Sequence, residues 1–180
     1  MDQHVSIQQL VDEFLAEFWL TAGTIGFAPI GLGLFETSVA LPTPTEMNPD
    51  PTLFLGNGLP DETIPHASWR RSEILAAAEP DGWLARWIGQ AWLALTYARW
   101  EDYYRPKIAK LAGIGVAGVR SDVMGDIRHL RNDVSHHRGI ATGGHAGRCV
   151  VLKRFNAGEA IALTSDDILL LRSKFDVRLG

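Results

Sequence analysis

The run Arg131-Asn132-Asp133-Val134-Ser135-His136-His137-Arg138-Gly139 crowds more groups able to do proton and phosphate chemistry into one place than any other stretch of the chain. An imidazole with an unperturbed pKa of about 6.5 can take up and return a proton near neutrality. A guanidinium presents a planar fork that grips two phosphate oxygens at once. A histidine and an arginine a few residues apart therefore suit a reaction at a phosphate ester that needs a proton carrier and a fixed positive charge.

The element that must position them is a helix. Val123, Ile127, Leu130 and Val134 recur at helical spacing as one apolar stripe. Ser121 or Asp122 can cap its start, and Gly139 stands where a left-handed residue would close it, just past the cations His136, His137 and Arg138. The predicted helix spans about residues 122–138. His129, Asn132 and His136 share a face turned away from the stripe, and Arg131 flanks it. On an ideal helix Arg131 and His136 diverge by about 140°.

Arg131-Asn132 followed by His136 resembles the R-x4–6-H signature of the HEPN superfamily, the higher eukaryote and prokaryote nucleotide-binding domain, in which a polar residue follows the Arg. Glu101-Asp102-Tyr103-Tyr104-Arg105 resembles the E-x3-K/R element that the family carries on an earlier long helix. The resemblance covers about residues 83–140. It implies a mainly α fold, a HEPN-like helical bundle, and a metal-independent endoribonuclease in which an RNA 2′-hydroxyl attacks the neighbouring phosphorus. Arg131, Asn132 and His136 would be catalytic, with Asn132 orienting the imidazole of His136. Glu101, Arg105, His129 and His137 would support them, and Arg128 and Arg138 would hold the substrate. The family is built as a two-fold dimer that brings two motifs to one cleft, which would resolve the divergence of Arg131 and His136. A toxin or antiviral defence effector, with an antitoxin or regulatory protein as a further partner, is the expected setting. The alternative is a non-catalytic module of the same fold that binds nucleotide, RNA or a partner protein.

Plainer readings exist for the same residues. Arg131 and His136 could simply be cations at a helix C-terminus, contributing about 0.3–1 kcal/mol each. Glu101 and Arg105 have the spacing of an ordinary i, i+4 ion pair. His129, His136, His137 and His145 have the side chains of a zinc site, but no Cys or carboxylate is seen to join them at ligand spacing, so no metal or other cofactor is expected.

With 180 residues, 46% of them hydrophobic, the chain can bury one sizeable core. Its net charge of −4 excludes a global basic field, so contact with RNA must be local. Seven of the cations, Arg120 to Arg154, do cluster with four histidines between residues 120 and 154. The single Cys149 excludes an internal disulfide and sits in an apolar run, as a small buried hydrophobe does. No basic leader or membrane-length apolar run is evident, so a cytoplasmic protein is expected.

Taken in order, Ser6 and Gln9 form a capping box, with Val5 and Leu10 as a hydrophobic staple, for a helix from Ile7 to about Leu20. Residues 21–65 are rich in Gly, Pro and Thr and read as an irregular arm with a short strand or two. The expected division is therefore 1–66, an N-terminal helix and arm, and 67–180, the helical domain. Ser68 can cap a short helix, Trp69 to Ala78. The longest helix runs from Trp83 to Arg105, is apolar nearly all round, and should kink or end at Pro106. After the motif helix, Cys149–Phe155 and Glu159–Leu163 read as a C-terminal β-hairpin turning at Asn156-Ala157-Gly158, and Thr164 with Asp167 caps a last helix to about Phe175.

Overall fold

The computed structural model of the protein describes residues 6–38, 41–58, 61, 63–79 and 81–180, with residues 28–38 described as backbone. Helices dominate, and two small antiparallel sheets accompany them. The chain divides into two compact units, residues 1–26 with 86–180, and residues 27–85.

Helix α1 spans Ile7–Ser38. The capping box forms as expected: the Gln9 N–H donates to Ser6 Oγ at 3.1 Å, and the Ser6 N–H donates to Gln9 Oε1 at 2.7 Å. The staple through Val5 lies outside the described residues. The expected end near Leu20 is corrected, because the helix runs on through Gly26, Gly31 and Gly33. A glycine costs only about 1 kcal/mol in a helix, and propagation of an established helix offsets such losses.

In the first unit, α1 packs Phe14 and Phe18 into the core beside α3 (Trp83–Arg99), the π-helical turn Trp100–Tyr104, and α4 (Arg105–Ala112). Ring centroids of Phe14 and Trp100 lie 5.2 Å apart, those of Phe14 and Tyr104 5.1 Å, and those of Phe18 and Trp92 4.8 Å. The long helix therefore does not stop at Pro106. The Arg105 N–H reaches back to the Trp100 carbonyl, one residue further than in an α-helix, and this wider turn accommodates a proline that has no N–H and a bulky ring. The apolar circumference of α3 is only partly used: Trp92 and Leu93 are buried, whereas Trp87 is 62% and Leu95 67% exposed. Gly113, at φ +68°, closes α4.

The motif helix α5 (Asp122–His136) and α6 (Ser165–Ser173) complete this unit, with a short ladder pairing β3 (Val119–Arg120) and β4 (Arg178–Leu179). The Thr164–Asp167 capping box opens α6 as expected. The expected C-terminal hairpin is corrected. Its turn exists, with the Asn156 N–H donating to Glu159 Oε2 at 2.9 Å, but residues 149–155 do not form a strand. Residues 159–161 instead bond to the chain just after α5: the Ala141 N–H donates to the Glu159 carbonyl and the Ile161 N–H to the Gly139 carbonyl, both at 2.8 Å.

The second unit contains an antiparallel pair, β1 (Thr52–Leu55) and β2 (Ala67–Arg70), followed by α2 (Arg71–Ala78). The boundary expected at residue 66 falls inside this hairpin. Ser68 and Trp69, expected as the cap and first residue of a helix, are ladder residues, and α2 starts two residues later. Asp50 caps it, accepting the Ser72 N–H at 2.9 Å and the Ser72 hydroxyl at 2.7 Å.

Candidate functional site

Helix α5 starts at Ser121, whose Oγ accepts the Met124 N–H at 3.4 Å, and its stripe is seated in the core: Val123, Ile127 and Leu130 are fully buried. Two aspartates stand among the stripe positions and are buried with it, Asp126 at 1% and Asp133 at 0% exposure. Sequence reasoning missed them. The signal was available, since Asp126 and Asp133, seven residues apart, occupy positions that an amphipathic helix ordinarily fills with apolar side chains.

Buried carboxylates need hydrogen bonds, and both find them in the loop that follows. Asp126 accepts the N–H groups of Val150 and Val151 at 2.8 Å and of Leu152 at 2.7 Å. These are donors that the expected strand would have spent on a ladder. Asp133 accepts the Thr142 and Ala146 N–H groups at 2.9 and 3.0 Å and the Thr142 hydroxyl at 2.7 Å. The loop is thus fastened to α5 at two points.

The helix ends at His136, two residues before the expected limit. Arg138 and Gly139 both adopt positive φ, +55° and +74°. At Gly139 a Cβ would fall 2.2 Å from Gln90 Nε2, and that amide donates to the Ile161 carbonyl at 3.1 Å.

Arg131 is half-buried, with its guanidinium carbon 5.8 Å from the centre of the Tyr97 ring and its Nη1 donating to Asn132 Oδ1 at 3.2 Å. Asn132 thus engages Arg131 and not His136. Among the described residues the His136 side chain forms no hydrogen bond or ion pair, and it is exposed. In the Glu101–Arg105 pair a single nitrogen, Arg105 Nη1, donates to both carboxylate oxygens at 2.9 Å, while Arg105 Nε donates to the Val119 carbonyl at 3.0 Å. A cavity of about 320 Å³ opens here, lined by Tyr97, Glu101, Arg105, Arg120 and Arg128 among others. Burial, followed by the Glu101 carboxylate, pushes the Tyr97 phenol above its ordinary pKa. Arg138 is exposed and does not line this cavity.

The histidines gather elsewhere. The rings of His137 and His145 lie 5.9 Å apart, and those of His129 and His145 6.1 Å. His129 Nδ1 is enclosed with no hydrogen-bond partner. Burial, then Arg128 and His145, holds this imidazole below its ordinary pKa. A carboxylate does join these histidines, contrary to expectation: donor atoms of Asp133, His137 and His145 all lie within 4.8 Å of one another. Cys149 is buried, which raises its thiol pKa to about 12 and keeps it a protonated hydrophobe.

No family model, curated protein or solved structure matches the chain.

Proposed function

We propose that the chain is a metal-independent endoribonuclease of HEPN type. The observation that carries this reading is that Arg131 on α5 lies over Tyr97, one helical turn before the Glu101–Arg105 ion pair. Two segments about thirty residues apart in the sequence thereby meet at Tyr97, which with Arg105, Arg120 and Arg128 lines a cavity large enough for a phosphate; Arg131 stands outside that lining. Arg131 supplies the fixed fork for the phosphorane charge, and exposed His136 is free to transfer the proton. The two are separated by about 7.5 Å along the helix and by about 140° around it. A two-fold homodimer, with Arg131 and His136 of both copies in one cleft, supplies the convergence that one copy lacks. A toxin or defence effector, restrained by an antitoxin or regulatory protein, fits such an activity.

The test is incubation of purified protein with total RNA in chelator. Cleavage leaving 2′,3′-cyclic phosphate ends is expected, because attack by the neighbouring hydroxyl needs no activated water. His136→Ala slows it by about 10²–10⁴-fold, the usual worth of a positioned acid–base group. Arg131→Lys is also impaired, since an ammonium lacks the planar fork. Undiminished cleavage by His136→Ala refutes the reading.

A second reading is favoured by the engagement of Asn132 with Arg131 instead of His136, and by a cavity that Arg128 lines and His136 does not. Here the same surface binds nucleotide, RNA or a partner protein without cleaving it. RNA retained on the protein with a steep salt dependence, and recovered intact, selects it.

A further inference from the structure

We infer that Asp133, His137 and His145 form a three-ligand site for a divalent first-row transition ion, zinc being the ion their chemistry fits best. Asp133 and His137 are one helical turn apart on α5 and its C-terminal cap, the spacing at which two side chains project on one face. The loop returns His145 to them, so that one donor atom from each residue falls within 4.8 Å of the other two.

The carboxylate is already oriented. Asp133 is wholly buried and accepts three hydrogen bonds from Thr142 and Ala146, which flank His145 on the same loop. Two of these fall on Oδ2 and one on Oδ1, which leaves a lone pair on Oδ1 for a ligand bond. Hydrogen bonds of this kind orient metal-binding carboxylates. His145 is half-buried beside His129, and His137 is exposed, with freedom to turn its ring. Tetrahedral ligands at about 2.0–2.1 Å from zinc lie about 3.4 Å apart, so the three donors close on the ion by about 1.4 Å at most. Rotation of the exposed His137 ring supplies much of that. Two imidazoles and one carboxylate select a borderline ion, whereas magnesium and calcium prefer oxygen alone. Three protein ligands leave the fourth position to water.

Bound metal would clip the loop to the end of α5 beside His136. The site does not depend on the cleavage reading, and its test uses no RNA. The full-length protein, stripped with chelator and dialysed, is titrated with zinc chloride against a chromogenic zinc indicator. One zinc per chain is expected, together with a higher melting temperature. His137→Ala and His145→Ala should each weaken binding by at least about tenfold, more than or equal to the loss on removing an outer-shell partner. Both side chains lie on the accessible side of the site, and circular dichroism confirms that the variants fold. His136→Ala should bind as the unaltered protein does. Cobalt(II) should give the intense visible bands of a four-coordinate site, lost in His145→Ala. No zinc bound at micromolar free metal, binding by either the His137 or the His145 variant as tight as that of the unaltered protein, or an equal loss in His136→Ala overturns the inference.

Discussion

Replacing Asp126 by Asn tests how the loop after α5 is held, because the two side chains differ by one atom and almost no volume. The Asp126 oxygens accept three backbone N–H groups, one on Oδ1 and two on Oδ2, in a position 1% exposed. In its better orientation an Asn amide presents its carbonyl to Val151 and Leu152 and turns an NH2 group toward the Val150 N–H, donor against donor. One charge-assisted bond worth about 1.5–3 kcal/mol is lost, and two others fall to neutral strength, a further loss of roughly 1 kcal/mol each. The total is about 3.5–5 kcal/mol, or roughly 7–20 °C in Tm for a domain of this size. Urea titrations of both proteins, followed by tryptophan fluorescence, should show the midpoint fall with the slope unchanged. A loss under about 0.5 kcal/mol, the ordinary scale of a surface substitution, would mean that water serves these N–H groups equally well.

Three further outcomes follow from the same structure. Leu130→Ala, at a fully buried position, should cost about 2–5 kcal/mol, and His136→Ala no more than about 1; equal losses in thermal denaturation would mean that the faces of α5 are reversed. Gly139→Ala should destabilise by about 1–3 kcal/mol, from a left-handed φ of +74° and displacement of the Gln90 amide; a neutral effect in calorimetry would refute both causes. Glu17 is held below its ordinary pKa of 4.5, first by its hydrogen bond with Arg99 and, against some burial, by the Tyr104 hydroxyl. Its folded value is the lower one, so it stabilises the fold above about pH 4.5 and loses that effect as pH falls through the folded value. The stability gap between the natural protein and Glu17→Gln should therefore shrink on acidification, and a gap that stays constant contradicts the assignment.

The motif helix was legible because its stripe, its Ser121 cap and its glycine stop are local signals that agree with one another. Likewise the capping boxes at Ser6 and Thr164 need only four residues to be read. What escaped depends on residues distant in sequence. The run from Cys149 to Phe155 has the apolar content of a strand, but its amides turn to Asp126, more than twenty residues upstream. The start of α2 moved because Ala67–Arg70 finds Thr52–Leu55 across an intervening loop. His145 joins His137 only because Asp133 anchors the loop that carries it. The Asp133/His137 spacing was visible, but burial of the aspartate was not. Sequence placed Glu101 with Arg105 by helical spacing, yet gave no hint that Arg131 would settle over Tyr97.

The π-helical turn at Trp100–Tyr104 acts as a phase shifter. One surplus residue lets the apolar face of α3 and that of α4 look into the same core although Pro106 stands in the first turn of α4. Wound as a regular α-helix with every residue kept, the same segment would turn everything downstream by about 100°. Ile108 and Ala109 would then swing out of the core. The surplus residue is thus absorbed within these five residues, so a single-residue deletion at the exposed positions Asp102 or Tyr103 would be tolerated better than one within α3 or α4, where no wider turn takes it up.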